Sequence, residues 1–196
     1  MKRIAAIILS LLCLVPFASC SNGGTSADQD GADKAGFSSS SLVIRYDGKS
    51  YGVNEKVDSL KKALGEPTNT ISQLSCHYGE NGDEYWFDYY FGSGEYDPDG
   101  EDFTDVLRVH TVPLTAGEDT ICDIECYTDK VTTDKNITVG STFEEITNAY
   151  GDGYQDEGEG FYTYYDGEVL PETPRLMFYV VDDKVEYFAV SAAINF

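Results

Sequence analysis

The chain has 196 residues, 35 of them acidic and 13 basic, which gives a net charge of −22 at pH 7. Such a charge repels nucleic-acid phosphates and anionic lipid head groups, so it excludes nucleic acid as a partner and favours a basic surface on another protein. The 15 Tyr and 10 Phe supply enough apolar surface for one well-filled domain or two small lobes.

The first twenty residues, MKRIAAIILSLLCLVPFASC, have the pattern of an export signal. Lys2 and Arg3 precede an apolar run that is shorter than the about 20 residues needed to span a bilayer. The four residues FASC at its end resemble the lipobox of bacterial lipoproteins. We therefore predict a signal peptide over 1–19 and a lipid on Cys20 that anchors the chain to the outer face of the cell membrane, typically of a Gram-positive bacterium. The alternative is ordinary secretion with Cys20 left as a free thiol.

Residues 20–40 are dominated by Ser, Gly, Ala and Asp and contain almost nothing that a core could bury. This composition predicts a lipid-anchored flexible tether. About 20 residues of such coil reach roughly 25 Å, which would hold a folded domain off a lipid surface.

A short segment of the chain is written twice. The sequence ITVGSTFEEITNAYG at 137–151 repeats YGVNEKVDSLKKALG at 51–65 with an offset of 86 residues. Apolar residues recur at helical spacing in both copies, and each copy ends in glycine, the residue that favours the end of a helix. We therefore predict two equivalent helices.

The first helix is predicted over 55–64, with Asn54 as its N-cap. In the second copy Ser141 followed by Glu144 has the spacing of a capping box. Both helices would be about three turns long, too short to be stable alone, so each must pack on a sheet.

Strands are predicted to follow each helix as an antiparallel meander, with hairpin turns at Asn81-Gly82 and Asp182-Asp183. The predicted strands are 72–78, 84–92, 105–113 and 119–128, and then 161–166, 173–182 and 184–194. This order predicts an α+β protein with two tandem lobes, 41–133 and 134–196, each a short helix packed on an antiparallel sheet meander.

Alternation along the strands predicts which side chains face away from the helices. In EYWFDYYF the apolar set that includes Phe87 and Tyr89 is assigned to the core. The opposite, open faces of the sheets are expected to carry aromatic and charged side chains, the types that anchor protein interfaces. The candidate binding face comprises Trp86, Tyr90, Arg108, His110, Tyr162, Tyr164 and Tyr179.

Three cysteines remain after the signal and the lipidation site, an odd number that excludes complete pairing. Cys122 and Cys126 are four residues apart on one predicted strand, too far apart to bridge. We expect buried free thiols there and at Cys76. Cys76 and His77 point to opposite faces of a strand, which argues against a catalytic dyad.

The chain contains no motif of a known catalytic site, such as a nucleophile elbow, a phosphate loop or a HExxH zinc site. The acidic stretch YDPDGEDFTD at 96–105 is the best candidate for a cation site, with Asp97, Asp99 and Asp102 as weak Ca²⁺ ligands. Its glycine comes too early for an EF-hand loop, so a solvated acidic loop is favoured. We predict no catalytic residue, no metal and no cofactor.

The segment ITVGSTFEEITNAYGDG resembles the helix signature of bacterial lipoproteins with a β-lactamase-inhibitor-protein-like fold. A single-copy version is similar to the small lipoprotein of the outer-membrane β-barrel assembly machinery. The resemblance implies tandem helix-plus-sheet lobes over most of 45–196 and an aromatic concave sheet that grips another protein. The chain departs from the family in having Asn54 where glycine is usual and in lacking a disulfide in each lobe, so inhibition of β-lactamase is not carried over.

Together these patterns predict a non-enzymatic, membrane-anchored extracytoplasmic lipoprotein that binds another protein through the open aromatic faces of its sheets. Two alternatives involve carbohydrate, because exposed aromatic rings also stack on sugars. One is a cell-wall glycan-binding protein, and the other is a hydrolase with two converging carboxylates. A structural spacer without a ligand is the third.

Overall fold

The computed structural model of the chain describes residues 36–74, 85–93, 105–115 and 118–192. Over these residues the protein is α+β, with two short helices and mostly antiparallel strands. Neither helix is long and apolar enough to cross a membrane. Several sequence-based predictions fall outside the described residues: the signal peptide and Cys20, Cys76 and His77, the Asn81-Gly82 turn, and the acidic loop with Asp97, Asp99 and Asp102.

The elements follow one another in an order that repeats the predicted pattern of a helix and then strands. A 3-10 turn at Ser39–Ser41 precedes them. The elements are β1 Val43–Tyr46, β2 Lys49–Gly52, α1 Val57–Leu64, β3 Asn69–Leu74, β4 Tyr85–Gly92, β5 Val106–Thr115, β6 Glu118–Cys126, β7 Thr132–Thr133, α2 Phe143–Tyr150, β8 Gln155–Gly158, β9 Phe161–Tyr165, β10 Arg175–Val181 and β11 Lys184–Ser191.

The two helices confirm the sequence repeat residue for residue, since α1 and α2 have equal lengths and are offset by 86 positions. Leu60 and Ile146, which the repeat aligns, are both fully buried. Each helix ends at the aligned glycine, Gly65 or Gly151, whose positive φ reverses the chain direction without a steric penalty.

Both predicted helix starts are wrong by one or two residues. Asn54 does not cap α1, because the helix begins only after Lys56. The Asn54 backbone N–H donates instead to the Ile121 carbonyl of β6 at 2.7 Å. The capping box of α2 is present one residue later than predicted: Thr142 Oγ1 accepts from the Glu145 N–H at 3.1 Å, and a Glu145 carboxylate oxygen accepts from the Thr142 N–H at 2.7 Å. Each helix therefore has about two turns rather than three.

The strands that follow the two helices belong to one eight-stranded antiparallel sheet of order β3-β4-β5-β6-β11-β10-β9-β8. The two meanders meet where β6 pairs with β11, with Ile124 opposite Val190 and Cys126 opposite Phe188. A separate sheet of order β2-β1-β7 accompanies it. The hairpin predicted at Asp182-Asp183 is confirmed, and both residues have positive φ.

One face of the large sheet carries the hydrophobic core. Both helices and the small sheet bury their apolar residues there against β4, β5, β6, β9, β10 and β11. Leu107, Val109 and Ile124 face this core, and Phe87 and Tyr89 pack there as predicted. Burial of this kind contributes about 25 cal/mol per Å² of apolar surface, which gives two-turn helices the stability that they lack in isolation.

Cys122 and Cys126 are buried free thiols, as predicted. Cys126 belongs to the core, but Cys122 does not. The ladder between β5 and β6 shifts between the pairs His110–Asp123 and Thr111–Ile121, so Cys122 is the extra residue of a β-bulge. Its thiol donates to the backbone carbonyl of His110 at 3.3 Å.

Gly160 offers a test of the packing between β9 and β10. A Cβ on this residue would overlap the Val180 carbonyl oxygen, and its φ of +90° disfavours any other residue. Gly48 has a similar φ of +73°, but a Cβ there meets nothing within 4 Å. We expect Gly160→Ala to cost about 2 kcal/mol of unfolding free energy and Gly48→Ala about 1 kcal/mol, from backbone strain alone. Urea unfolding of both variants measures the difference, and equal losses would contradict the close approach.

Candidate functional site

The face of the large sheet opposite the helices, here called the open face, has no helix packed on it in the described part of the chain. It is built by residues that alternate with the core residues along each strand. Its main side chains are Trp86, Asp88, Tyr90, Arg108, His110, Asp123, Glu125, Tyr127, Phe161, Tyr179 and Tyr187, contributed by β4, β5, β6, β9, β10, β11 and the residue after β6.

Five of the seven predicted binding residues lie on this face. Trp86, Arg108, His110 and Tyr179 are partly exposed there. Tyr90 is also on this face but is only 4% exposed, so it supports its neighbours rather than offering a contact surface.

The prediction for Tyr162 and Tyr164 is wrong. They pair with Phe178 and Leu176 of β10, which face the core, and cross-strand partners share a face. Tyr164 is 1% exposed, and its hydroxyl donates to the Gly151 carbonyl at 2.8 Å. Tyr162 packs against Phe143 at the start of α2, with ring centroids 4.3 Å apart.

The half of the open face that β4, β5 and β6 form holds a charged cluster of Asp88, Arg108, His110, Asp123 and Glu125. Arg108 is its centre: one guanidinium nitrogen lies 3.2 Å from Asp88, and another lies 3.1 Å from Glu125. Because Asp88 is 3% exposed, these are not loosely solvated surface pairs.

His110 ties the cluster to Trp86. Its Nδ1 lies 2.7 Å from an Asp88 carboxylate oxygen, and its ring meets the Trp86 ring edge to face with centroids 5.1 Å apart. Burial alone would raise the pKa of Asp88, but the hydrogen bond with His110 and the charge of Arg108 outweigh it and hold that pKa below its usual value.

An Asp–His pair of this kind orients the imidazole in many hydrolases, where a serine or cysteine completes the site. The nearby thiol of Cys122 does not suit that role. Burial raises its pKa to about 12, and it donates to the backbone of His110 rather than to the ring. The described residues also contain no group of three or more His, Cys, Asp or Glu side chains that could hold a metal ion.

Asp123 differs from the other carboxylates of the charged cluster. Among the described residues, its side-chain hydrogen-bond partner is the hydroxyl of Ser191, which donates to Oδ2 across the β6–β11 joint. Burial and the neighbouring charge of Glu125 raise its pKa from the usual 3.8 to about 6. The ionised form is therefore destabilised in the folded protein.

Asp123→Asn tests this state. A carboxyl whose pKa is raised on folding does not lower the free energy of unfolding below about pH 4. The loss of unfolding free energy grows as the pH rises through 6. We expect the asparagine variant to match the parent at pH 4 and to be about 1 to 2 kcal/mol more stable at pH 8. Urea unfolding across this pH range measures the difference. Glu144→Gln, at an exposed site on α2, removes the same charge and serves as the control.

The other half of the open face carries a row of four aromatic rings, here called the aromatic ladder. The row runs from the residue after β6 across β11 and β10 to β9. Tyr127 stacks on Tyr187 with centroids 4.7 Å apart, Tyr187 lies 5.5 Å from Tyr179, and Tyr179 lies 4.6 Å from Phe161. The Tyr127 hydroxyl donates to Glu125 at 3.1 Å, so the ladder and the charged cluster are continuous.

Sequence reasoning found only Tyr179 of this ladder. Phe161 could have been found, because it alternates with Tyr162 and pairs with the strand of Tyr179. Tyr187 could not, because a bulge at the Tyr179–Val180 step shifts the alternation of β11. Tyr127 joins the ladder only through the pairing of β6 with β11.

Comparison with protein-family models, with curated proteins and with solved structures finds no match to this chain.

Proposed function

We propose that the chain is a lipoprotein anchored through Cys20 to the outer face of the cell membrane, and that its folded part binds another protein through the open face without catalysing a reaction. In this proposal the tandem segments 41–133 and 134–196 each supply a helix and half of the sheet, as the resemblance to inhibitor-like lipoproteins implies. The observation that carries the proposal is the aromatic ladder, which runs into the charged cluster on a face that no described helix covers.

The packing of the ladder favours a protein ligand over a glycan. Sugars stack on the exposed face of an aromatic ring. With centroid distances of 4.6 to 5.5 Å and angles of 28° to 42°, the rings of Tyr127, Tyr187, Tyr179 and Phe161 pack against one another, which leaves less ring face for a sugar. Ring edges and hydroxyl groups remain, which suit the mixed apolar and polar contacts of a protein interface.

The charged cluster likewise gives little support to the hydrolase alternative. A glycosidase places two carboxyls about 5 to 9 Å apart on either side of a cleft, one of them protonated. Asp88 and Glu125 are both paired with Arg108, and the pKa of Asp88 is held below its usual value. The pKa of Asp123 is raised, but the other two carboxyls of the described cluster pair with Arg108, so none is left to act with it.

Site-specific photo-crosslinking tests the proposal in the membrane-anchored chain. A benzoylphenylalanine at Tyr187 is expected to crosslink a discrete protein in intact cells, whereas the same group at Lys62, exposed on the helix side, should not. Tyr179→Ala should weaken the crosslink without unfolding the protein. Tyr46→Ala, which removes a half-buried ring from β1, is the matched control. Equal yields at positions 187 and 62, or a crosslink unaffected by Tyr179→Ala, would refute the assignment of the face.

The anchor has its own test. Cys20→Ala should move the protein from the membrane fraction to the soluble fraction while leaving its unfolding curve unchanged. A variant that stays with the membrane would overturn the lipid anchor.

A further inference from the structure

A cavity of about 230 Å³ lies where the loop between β9 and β10 meets the open face. Asp123 and Ser191 line it from the sheet, and Pro171, Glu172 and Arg175 line it from the loop and the start of β10. Since a water molecule takes about 30 Å³ in the liquid, the cavity has room for several waters or for the end of one long side chain.

Asp123 enters this cavity without an ion-pair partner among the described residues, although the charges of Arg108 and His110 on the same face partly offset the rise in its pKa. No lysine or arginine among the described residues lies within ion-pair distance of it, whereas Asp88 and Glu125 share Arg108. His110 is its cross-strand neighbour, but the His110 Nδ1 is engaged by Asp88. Among the described side chains, only the Ser191 hydroxyl donates to it.

Arg175 does not supply the missing charge. Its guanidinium Nη1 donates to the Pro171 carbonyl at 2.7 Å, which holds the side chain against the loop. The cavity is therefore lined by two acidic side chains, Asp123 and Glu172, and one basic side chain, Arg175. Acidic side chains therefore outnumber basic ones in its lining.

We propose that this cavity is a socket for one cationic side chain, a lysine ammonium or an arginine guanidinium, presented by the protein that binds the open face. The proposal rests on the proposed function and specifies the chemistry of its partner. The cation would pair with Asp123 and Glu172, and its alkyl stem would pass Pro171 and Ala192.

Two further features fit a partner at this position. Val169 and Leu170, which precede Pro171 on the same loop, are 59% and 43% exposed and offer an apolar contact for the residues that flank the cation. The strongly acidic chain attracts a basic surface from a distance, so the socket would select the orientation of a partner already drawn to it.

Protons and the cation compete for Asp123. A bound cation stabilises the ionised carboxyl and so lowers its pKa, and by linkage the cation binds less tightly where that carboxyl is protonated. The affinity of the socket should therefore fall as the pH drops below 6.

Carboxyl NMR titration of the full chain, with Cys20→Ala to prevent acylation and in mild detergent, tests the socket with defined probes. The probes are a blocked Gly-Lys-Gly peptide and its uncharged norleucine analogue. The Asp123 signal is identified by its loss in Asp123→Asn. We expect the lysine peptide to lower the pKa of Asp123 by about one unit at saturation and the norleucine peptide to leave it unchanged.

Binding of the lysine peptide should be lost in Asp123→Asn and kept in Glu144→Gln, which removes an equal charge from α2. A lysine peptide that leaves the Asp123 titration unchanged, or that binds Asp123→Asn as well as the parent, overturns the socket. Photo-crosslinking at Tyr187 decides the proposed function separately. A crosslink that persists in Asp123→Asn with unchanged yield would leave the open face as the binding surface and remove the socket from it.

Discussion

Ile146→Ala and Leu60→Ala are each expected to lower the free energy of unfolding by about 3 to 4 kcal/mol. Both side chains are fully buried at the centre of a two-turn helix, where the repeat aligns them. Truncation leaves a cavity between helix and sheet and removes the main contact that keeps so short a helix folded. Urea unfolding measures both losses.

Asn148→Ala is the control for this pair, because Asn148 is exposed on α2 and its substitution should change stability by less than about 0.5 kcal/mol. Near-equal losses for the two core variants would support equivalent roles for the two copies of the repeat. A loss below about 1 kcal/mol at either position would mean that the helix there contributes little to the fold.

Arg108→Ala is expected to destabilise the protein by about 3 kcal/mol at pH 7, because it leaves the buried carboxylate of Asp88 and its neighbour Glu125 without their shared cation. The pKa of Asp88 is held below its usual value in the parent protein, so that pairing stabilises the fold above about pH 4 and is lost as the pH falls. The difference between variant and parent should therefore shrink on acidification.

Two variants separate this effect from a general loss of positive charge. Lys130 pairs with Asp105 at 2.7 Å but is 59% exposed, so Lys130→Ala should cost far less stability than Arg108→Ala. Adding Asp88→Asn to Arg108→Ala should recover part of the stability, because an amide does not need the cation. If the double variant is no more stable than Arg108→Ala alone, Asp88 is not the group that Arg108 supports.

The sequence was informative wherever a local pattern decides the structure. The repeat located both helices and their closing glycines, and strict alternation in β4 and β5 placed Trp86, Arg108 and His110 on the open face. These assignments rest on helical or strand periodicity within about ten residues, which one sequence displays directly.

It was misleading where a distant strand decides. The face of Tyr164 depends on its pairing with Leu176 in β10, and both faces of β9 are aromatic, so alternation alone does not choose between them. Strand β8 has the sequence QDEG, with no apolar residue, and among the described strands it pairs with β9 alone. The aromatic ladder depends on the β6–β11 pair, which joins residues more than 60 positions apart.

The place of β11 in the sheet bears on the order in which the chain folds. It is the last described strand in sequence, yet it lies between β6 and β10. Until it arrives, β6 has an unpaired edge and the two meanders share no hydrogen bonds in the large sheet. Such long-range pairing is slow to form, so the sheet closes only after the C-terminal strand has been made. A chain whose central strand comes last therefore completes its large sheet after synthesis rather than during it.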